Sequence, residues 1–132
     1  MSQPGETFLR ALAELSEARA KGDTLGVRQA AEKAWLAVVE ATDWYLENEH
    51  GIKVVQDDQA HRVRREYLRM YDRSDLEETY IVLSQRLHGD IFYMGAEVRS
   101  ADVRRYFQTV AGYVEETTGY GGLVDAVARE FV

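Results

Sequence analysis

Residues Val27–Leu46 read VRQAAEKAWLAVVEATDWYL, and this stretch decides the fold. Val27, Ala31, Ala34, Val38, Ala41 and Tyr45 recur at alternating four- and three-residue steps, which places them on one stripe of an α-helix. Ala30, Ala37 and Trp44 widen the stripe on one side, and Trp35, Val39 and Leu46 widen it on the other. Apolar side chains then cover about 220° of the circumference at roughly 100° per residue. The remaining polar strip holds Gln29, Glu32, Lys33, Glu40, Asp43 and Glu47. A helix on the outside of a domain needs only about half that apolar width. This helix must therefore be packed from several sides, by other helices or by a second subunit, and Trp35, Val39 and Trp44 are the expected interface residues.

Working outward, the flanking segments read as further helices. Residues 1–6 are expected to be a flexible N-terminus, because Pro4-Gly5 breaks regular structure. Thr7 can cap a first helix whose inward face is Phe8, Ala11, Leu12, Leu15 and Ala18. Lys21-Gly22 stops it, Asp23 or Thr24 caps the long helix, and the short gap predicts an antiparallel hairpin. His50-Gly51 ends the long helix, and Ile52–Gln56 spans an extended connection. A third helix reaches about Tyr71 with Val63, Tyr67 and Met70 inward. Ser74-Asp75-Leu76-Glu77 matches a capping box for a fourth, which carries Leu76, Tyr80, Leu83 and Leu87 and ends at His88-Gly89. Ile91-Phe92-Tyr93-Met94 reads as an apolar plug in the following turn. Ser100 caps a fifth helix with Val103, Tyr106, Phe107, Val110 and Val114 inward. A short C-terminal helix follows a glycine hinge within residues 119–132. No segment alternates persuasively at period two, so the expected fold is all-α: one up-and-down bundle of four to five main helices plus the short last one.

The bulk numbers narrow the function classes. A chain of 132 residues suits one domain. A net charge of −7 argues against general DNA binding and against acidic membrane surfaces. No run approaches 18 apolar residues, so no membrane span is expected. The opening MSQPGET lacks the basic and apolar regions of a signal peptide, and a cytoplasmic location is the plain expectation. With no cysteine, thiolate metal sites and cysteine nucleophiles are excluded.

Ala31-Glu32-Lys33-Ala34-Trp35 in the long helix resembles a small-residue-rich helix of the HEPN superfamily (higher eukaryote and prokaryote nucleotide-binding). Leu87-His88-Gly89-Asp90-Ile91-Phe92-Tyr93 looks like the leucine-histidine then phenylalanine-tyrosine segment of its short paralogous-repeat proteins from hyperthermophilic archaea. The helix order agrees over roughly residues 7–117. The resemblance implies an up-and-down bundle, often paired as a dimer. Several relatives are ribonucleases or toxin–antitoxin partners, and others are binding modules. The ribonuclease branch needs an arginine four to six residues before a histidine. His50 and His61 have no arginine there, and before His88 Arg86 is too close and Arg73 too far. The motif is missing.

Three groups of residues invite a site reading. Arg62, Arg65, Arg69 and Arg73 lie at helical spacing and could grip phosphate, as a nucleotide- or RNA-binding face. They could equally be a solvated face paired with Asp72, Asp75, Glu77 or Glu78. Arg86, His88, Asp90 and Tyr93 gather at one turn and could line a pocket, or Phe92 and Tyr93 could simply plug the bundle end. Glu47-x-x-His50 and Asp58-x-x-His61 have metal-pair spacing but lie at helix ends without supporting inward carboxylates, so no metal and no cofactor is expected. No residue is assigned a catalytic role. The leading expectation is a non-catalytic, HEPN-like binding protein that pairs as a homodimer and takes a protein partner or a small anionic ligand. The alternative is a nucleotide- or RNA-binding protein, hydrolytic or of toxin–antitoxin type, using the arginine stripe.

Overall fold

The computed structural model describes residues 3–93 and 100–131, the side chains of Tyr93 and Ser100 apart. Among the described residues there is no strand, and the fold is an all-α bundle. Its helices are α1 (Gln3–Lys21), α2 (Thr24–His50), α3 (Ala60–Met70), α4 (Ser74–Leu83), α5 (Ser100–Thr118) and α6 (Leu123–Glu130). A π-helical segment, Ser84–Tyr93, continues α4.

Helix α1 starts four residues before the expected Thr7 cap. Proline is well placed in a first turn, where its missing N–H has no partner to lose. Pro4 and Gly5 are both buried, so the chain is helical and packed from Gln3 rather than loose to residue 6. The expected inward residues Phe8, Ala11, Leu12, Leu15 and Ala18 are all buried. Gly22 takes the left-handed conformation that ends α1 (φ 65°), and an Asp23 carboxylate oxygen accepts the Gly26 amide at 2.9 Å to cap α2. Thr7 donates to Glu40 at 2.9 Å and Lys33 to Glu14 at 2.5 Å, the reversed order that an antiparallel hairpin requires.

Helix α2 is the centre of the bundle, touching α1, α3, α5 and the π-helical segment. Ala30, Ala31, Ala34, Ala37 and Ala41 are buried on it, and these short side chains let neighbouring backbones come close. Much of the wide apolar surface is covered within one chain, and part of it stays open. Trp35 is 4% exposed with Tyr80 against it (ring centroids 5.0 Å apart), while Val39 and Trp44 are half-buried. Gly51 (φ 67°) donates to the Glu47 carbonyl and Ile52 to that of Leu46, each at 3.0 Å, closing the helix as expected.

Helix α3 is turned differently from its expected orientation. Its buried residues are Ala60, Arg64 and Leu68; Val63 and Tyr67 are only partly covered, and Met70 is 66% exposed. The physical reason is Arg64, whose ion pair draws that face inward. The Ser74–Glu77 capping box is not formed either, because Arg69 takes the Glu77 carboxylate at 2.5 Å. Nor does the chain turn at His88-Gly89: it winds on as a π-helix, which keeps Leu87 and Ile91 buried after Leu83. Met94, the last residue of the expected plug, lies outside the described residues. On α5, Val103, Phe107, Val110 and Val114 are buried as expected, with Tyr106 half-covered.

A Cβ added at Gly5 would meet the Tyr120 ring at 2.6 Å. Gly5→Ala should accordingly lower stability by about 1–3 kcal/mol through overpacking, read as an earlier midpoint in urea. A loose N-terminus would leave the midpoint unchanged.

Candidate ligand cleft

Glu32, Trp35, Leu36 and Val39 follow the i, i+3, i+4, i+7 rhythm of one helical face, on the side of α2 away from α1. They form one wall of a cleft of about 380 Å³. Gln56 and Asp57 of the connection before α3 form its rim, Ala60, His61 and Arg64 of α3 its opposite wall, and His88 of the π-helical segment its end. That volume lies in the range of small-molecule sites, and an apolar surface with a few converging polar groups is their usual chemistry.

The polar groups are held by a connected network. Arg64 is 2% exposed. Its Nε and Nη2 donate to the two Asp43 oxygens at 2.7 and 3.1 Å, Nη2 also to Gln56 Oε1 at 2.8 Å, and Nη1 to the Tyr80 hydroxyl at 3.3 Å. Gln56 Nε2 donates to Asp43 and to the Val54 carbonyl, both at 3.0 Å. Four elements are thereby tied together: α2 through Asp43, the connection through Gln56, α3 through Arg64 and α4 through Tyr80. His61 Nδ1 lies 2.6 Å from the Tyr80 hydroxyl. Burial pushes the His61 imidazole below its ordinary range, and the nearby charges of Arg64, His88 and Arg65 push the same way. Burial pushes the Tyr80 hydroxyl up, so it keeps its proton at neutral pH. Across the cleft, His88 Nδ1 sits 2.8 Å from both Glu32 oxygens. The two imidazoles flank Trp35, with ring centroids 5.8 Å (His61) and 6.3 Å (His88) from it.

Of the residues singled out in the sequence, the cleft collects Trp35, Val39, His61 and His88, His61 without its expected metal-pair partner Asp58. Trp44 does not line it. Arg62 pairs with Glu66 at 3.0 Å, Arg69 with Glu77, and Arg73 with Asp75 at 3.0 Å and Glu116 at 2.9 Å, while Arg65 bonds the His61 carbonyl at 3.4 Å. The arginine face is thus largely engaged by carboxylates of its own chain. Arg86 and Asp90 pair with each other at 2.8 Å and do not line the cleft, and the Tyr93 side chain lies outside the described residues. His50 stacks on Tyr71 at 3.6 Å. Among the described residues no three His, Asp or Glu side chains converge as metal ligands do. Glu32, Leu36, Gln56, Asp57 and Arg64 are cleft residues to which the sequence assigned no site role. The Glu32–Trp35–Leu36–Val39 spacing, and an arginine four residues from both Ala60 and Leu68, were the signals available. Compared with known proteins, the chain matches no family model, no curated protein and no solved structure.

His61 also has a consequence for stability. Its pKa is lower in the folded chain than the ordinary 6.5, so the unfolded chain binds more protons as pH drops below that value. Its contribution is therefore full above the ordinary value and is lost as pH falls towards the folded one. Urea melts at pH 7.5 and 5.5 should show a loss of stability in acid that is smaller in His61→Gln.

Proposed function

We propose that this protein is a binding module, a HEPN-like helical bundle that takes a small molecule in the Trp35 cleft. One observation carries the reading: His61 and His88 are each held by a hydrogen-bonding partner near the Trp35 ring, among apolar side chains and in a volume suited to a ligand. Polar groups positioned by partners of their own are preorganised for recognition. The anionic-ligand and RNA alternatives draw no support from the arginine stripe, where Arg62, Arg69 and Arg73 already have carboxylate partners. The test is an indole ¹H–¹⁵N spectrum titrated with a collection of small ring compounds. The Trp35 signal should move while that of Trp44 stays, and Val39→Trp, which fills the cleft, should abolish the response. A Trp35 signal that no compound moves would sink the proposal.

Self-association is a second reading, and Leu36 favours it: this side chain is 48% exposed at the mouth of the cleft, beside Val39. A homodimer formed there would cover both residues. Light scattering at high protein concentration should give twice the monomer mass, and Leu36→Glu should return it to the monomer. A wild-type chain that stays monomeric rules out pairing through this face.

A further inference from the structure

The donors and acceptors around Tyr80 fix the state of His61. A guanidinium can only donate, so the Tyr80 oxygen accepts from Arg64 Nη1 at 3.3 Å. Tyr80 is 1% exposed, and His61 Nδ1 at 2.6 Å is its other hydrogen-bonding neighbour. If His61 were the donor there, the tyrosine proton would be buried with no acceptor, a loss of about 1–3 kcal/mol. Tyr80 is therefore the donor and His61 Nδ1 the acceptor. The imidazole proton then sits on Nε2, for which no protein acceptor exists among the described residues. On the other side, Glu32 as an ionised carboxylate only accepts, so His88 Nδ1 carries a proton.

The charges around this donor are arranged against ions. Burial opposes a second proton on His61 most strongly, Arg64 and Arg65 on its own helix and His88 oppose it too, and only Asp43 favours it. The Arg64 charge is itself met by Asp43 from α2, so it is not presented to a ligand. Glu32 and Asp57 put carboxylates on the cleft lining, which repel an anion. Both already have partners: Glu32 holds His88, and Asp57 Oδ1 accepts the Gln59 amide at 2.9 Å. Neither is set aside for a cationic ligand. The apolar remainder is Trp35, Leu36, Val39 and Ala60.

Resting on the reading of this cleft as a binding site, we propose that its ligand is an uncharged molecule with an apolar body and a carbonyl-type oxygen, which accepts a hydrogen bond from His61 Nε2–H. The ligand class differs from the anion that the arginine stripe suggests.

The test has two arms on the full chain at pH 7. Long-range ¹H–¹⁵N imidazole spectra without ligand should show His61 as the neutral Nε2–H tautomer; an Nδ1–H tautomer or an imidazolium would overturn the proposal. In the second arm, benzamide, benzoate and benzylamine share one ring and differ in charge, and each is titrated against the Trp35 indole signal. Benzamide should bind at least fivefold tighter than either ion. His61→Phe, which keeps a ring against Trp35, should weaken benzamide at least fivefold. Tyr80→Phe should mix the His61 tautomers and weaken it less. If benzoate or benzylamine binds as well as benzamide, the ligand class is wrong while the cleft remains a site. If none of the three moves Trp35, the ligand class is again wrong, and the wider compound collection decides separately whether the cleft binds anything.

Discussion

A buried guanidinium on a short helix sets the geometry of this protein. Taking Arg64 out of water costs several kcal/mol, and that cost is tolerated only where the charge is matched and the donors are used. Asp43 supplies a two-point match, and Gln56 and the Tyr80 hydroxyl take further N–H groups. Because these partners come from α2, the connection and α4, α3 has one rotation that satisfies them all. That rotation leaves Met70 in solvent and brings His61, one turn before Arg64, to the cleft wall. Packing alone would have chosen a different face of α3.

Helix α2 then works on two sides. Its alanines give α1 and α5 a smooth surface to approach, and its Glu32–Val39 face, carrying larger side chains, stays partly open. The π-helical segment closes the end of that opening. Arg28 of α2 donates to the Phe92 carbonyl at 2.7 and 3.1 Å, fastening the segment in the register that sets His88 against Glu32. The rarity of long π-helices reflects their poorer backbone geometry, and here the side-chain bonds to α2 help hold one in place.

The fold was readable in the sequence because it follows from periodicity. The stripes of α1, α2 and α5 are unambiguous, and the glycine and aspartate signals at Gly22, Asp23 and Gly51 act locally, as the caps show. The site was much less readable. Arginines at helical spacing look like one surface; the spacing of Arg64 from Ala60 and Leu68 marks an inward face, but nothing local reveals the carboxylate more than twenty positions earlier that matches it. The same holds for Glu77, whose capping role is displaced by an ion pair from another helix. Local chemistry predicts local structure; long-range charge pairing overrides it without a mark in the sequence. His88 was singled out for its turn, yet its significance lies with Glu32, on the polar strip of a distant helix.

The meeting of Gly5 with Tyr120 has a bearing on how the chain becomes compact. Here α1 rests against the stretch leading into α6, and the Arg19 guanidinium lies 4.2 Å over the Phe131 ring at the other end of α1. The α1–α2 hairpin joins sequence neighbours and can assemble early, but these contacts join segments synthesised far apart in time. During translation the nascent chain therefore carries one side of α1 uncovered until Tyr120 and α6 have left the ribosome.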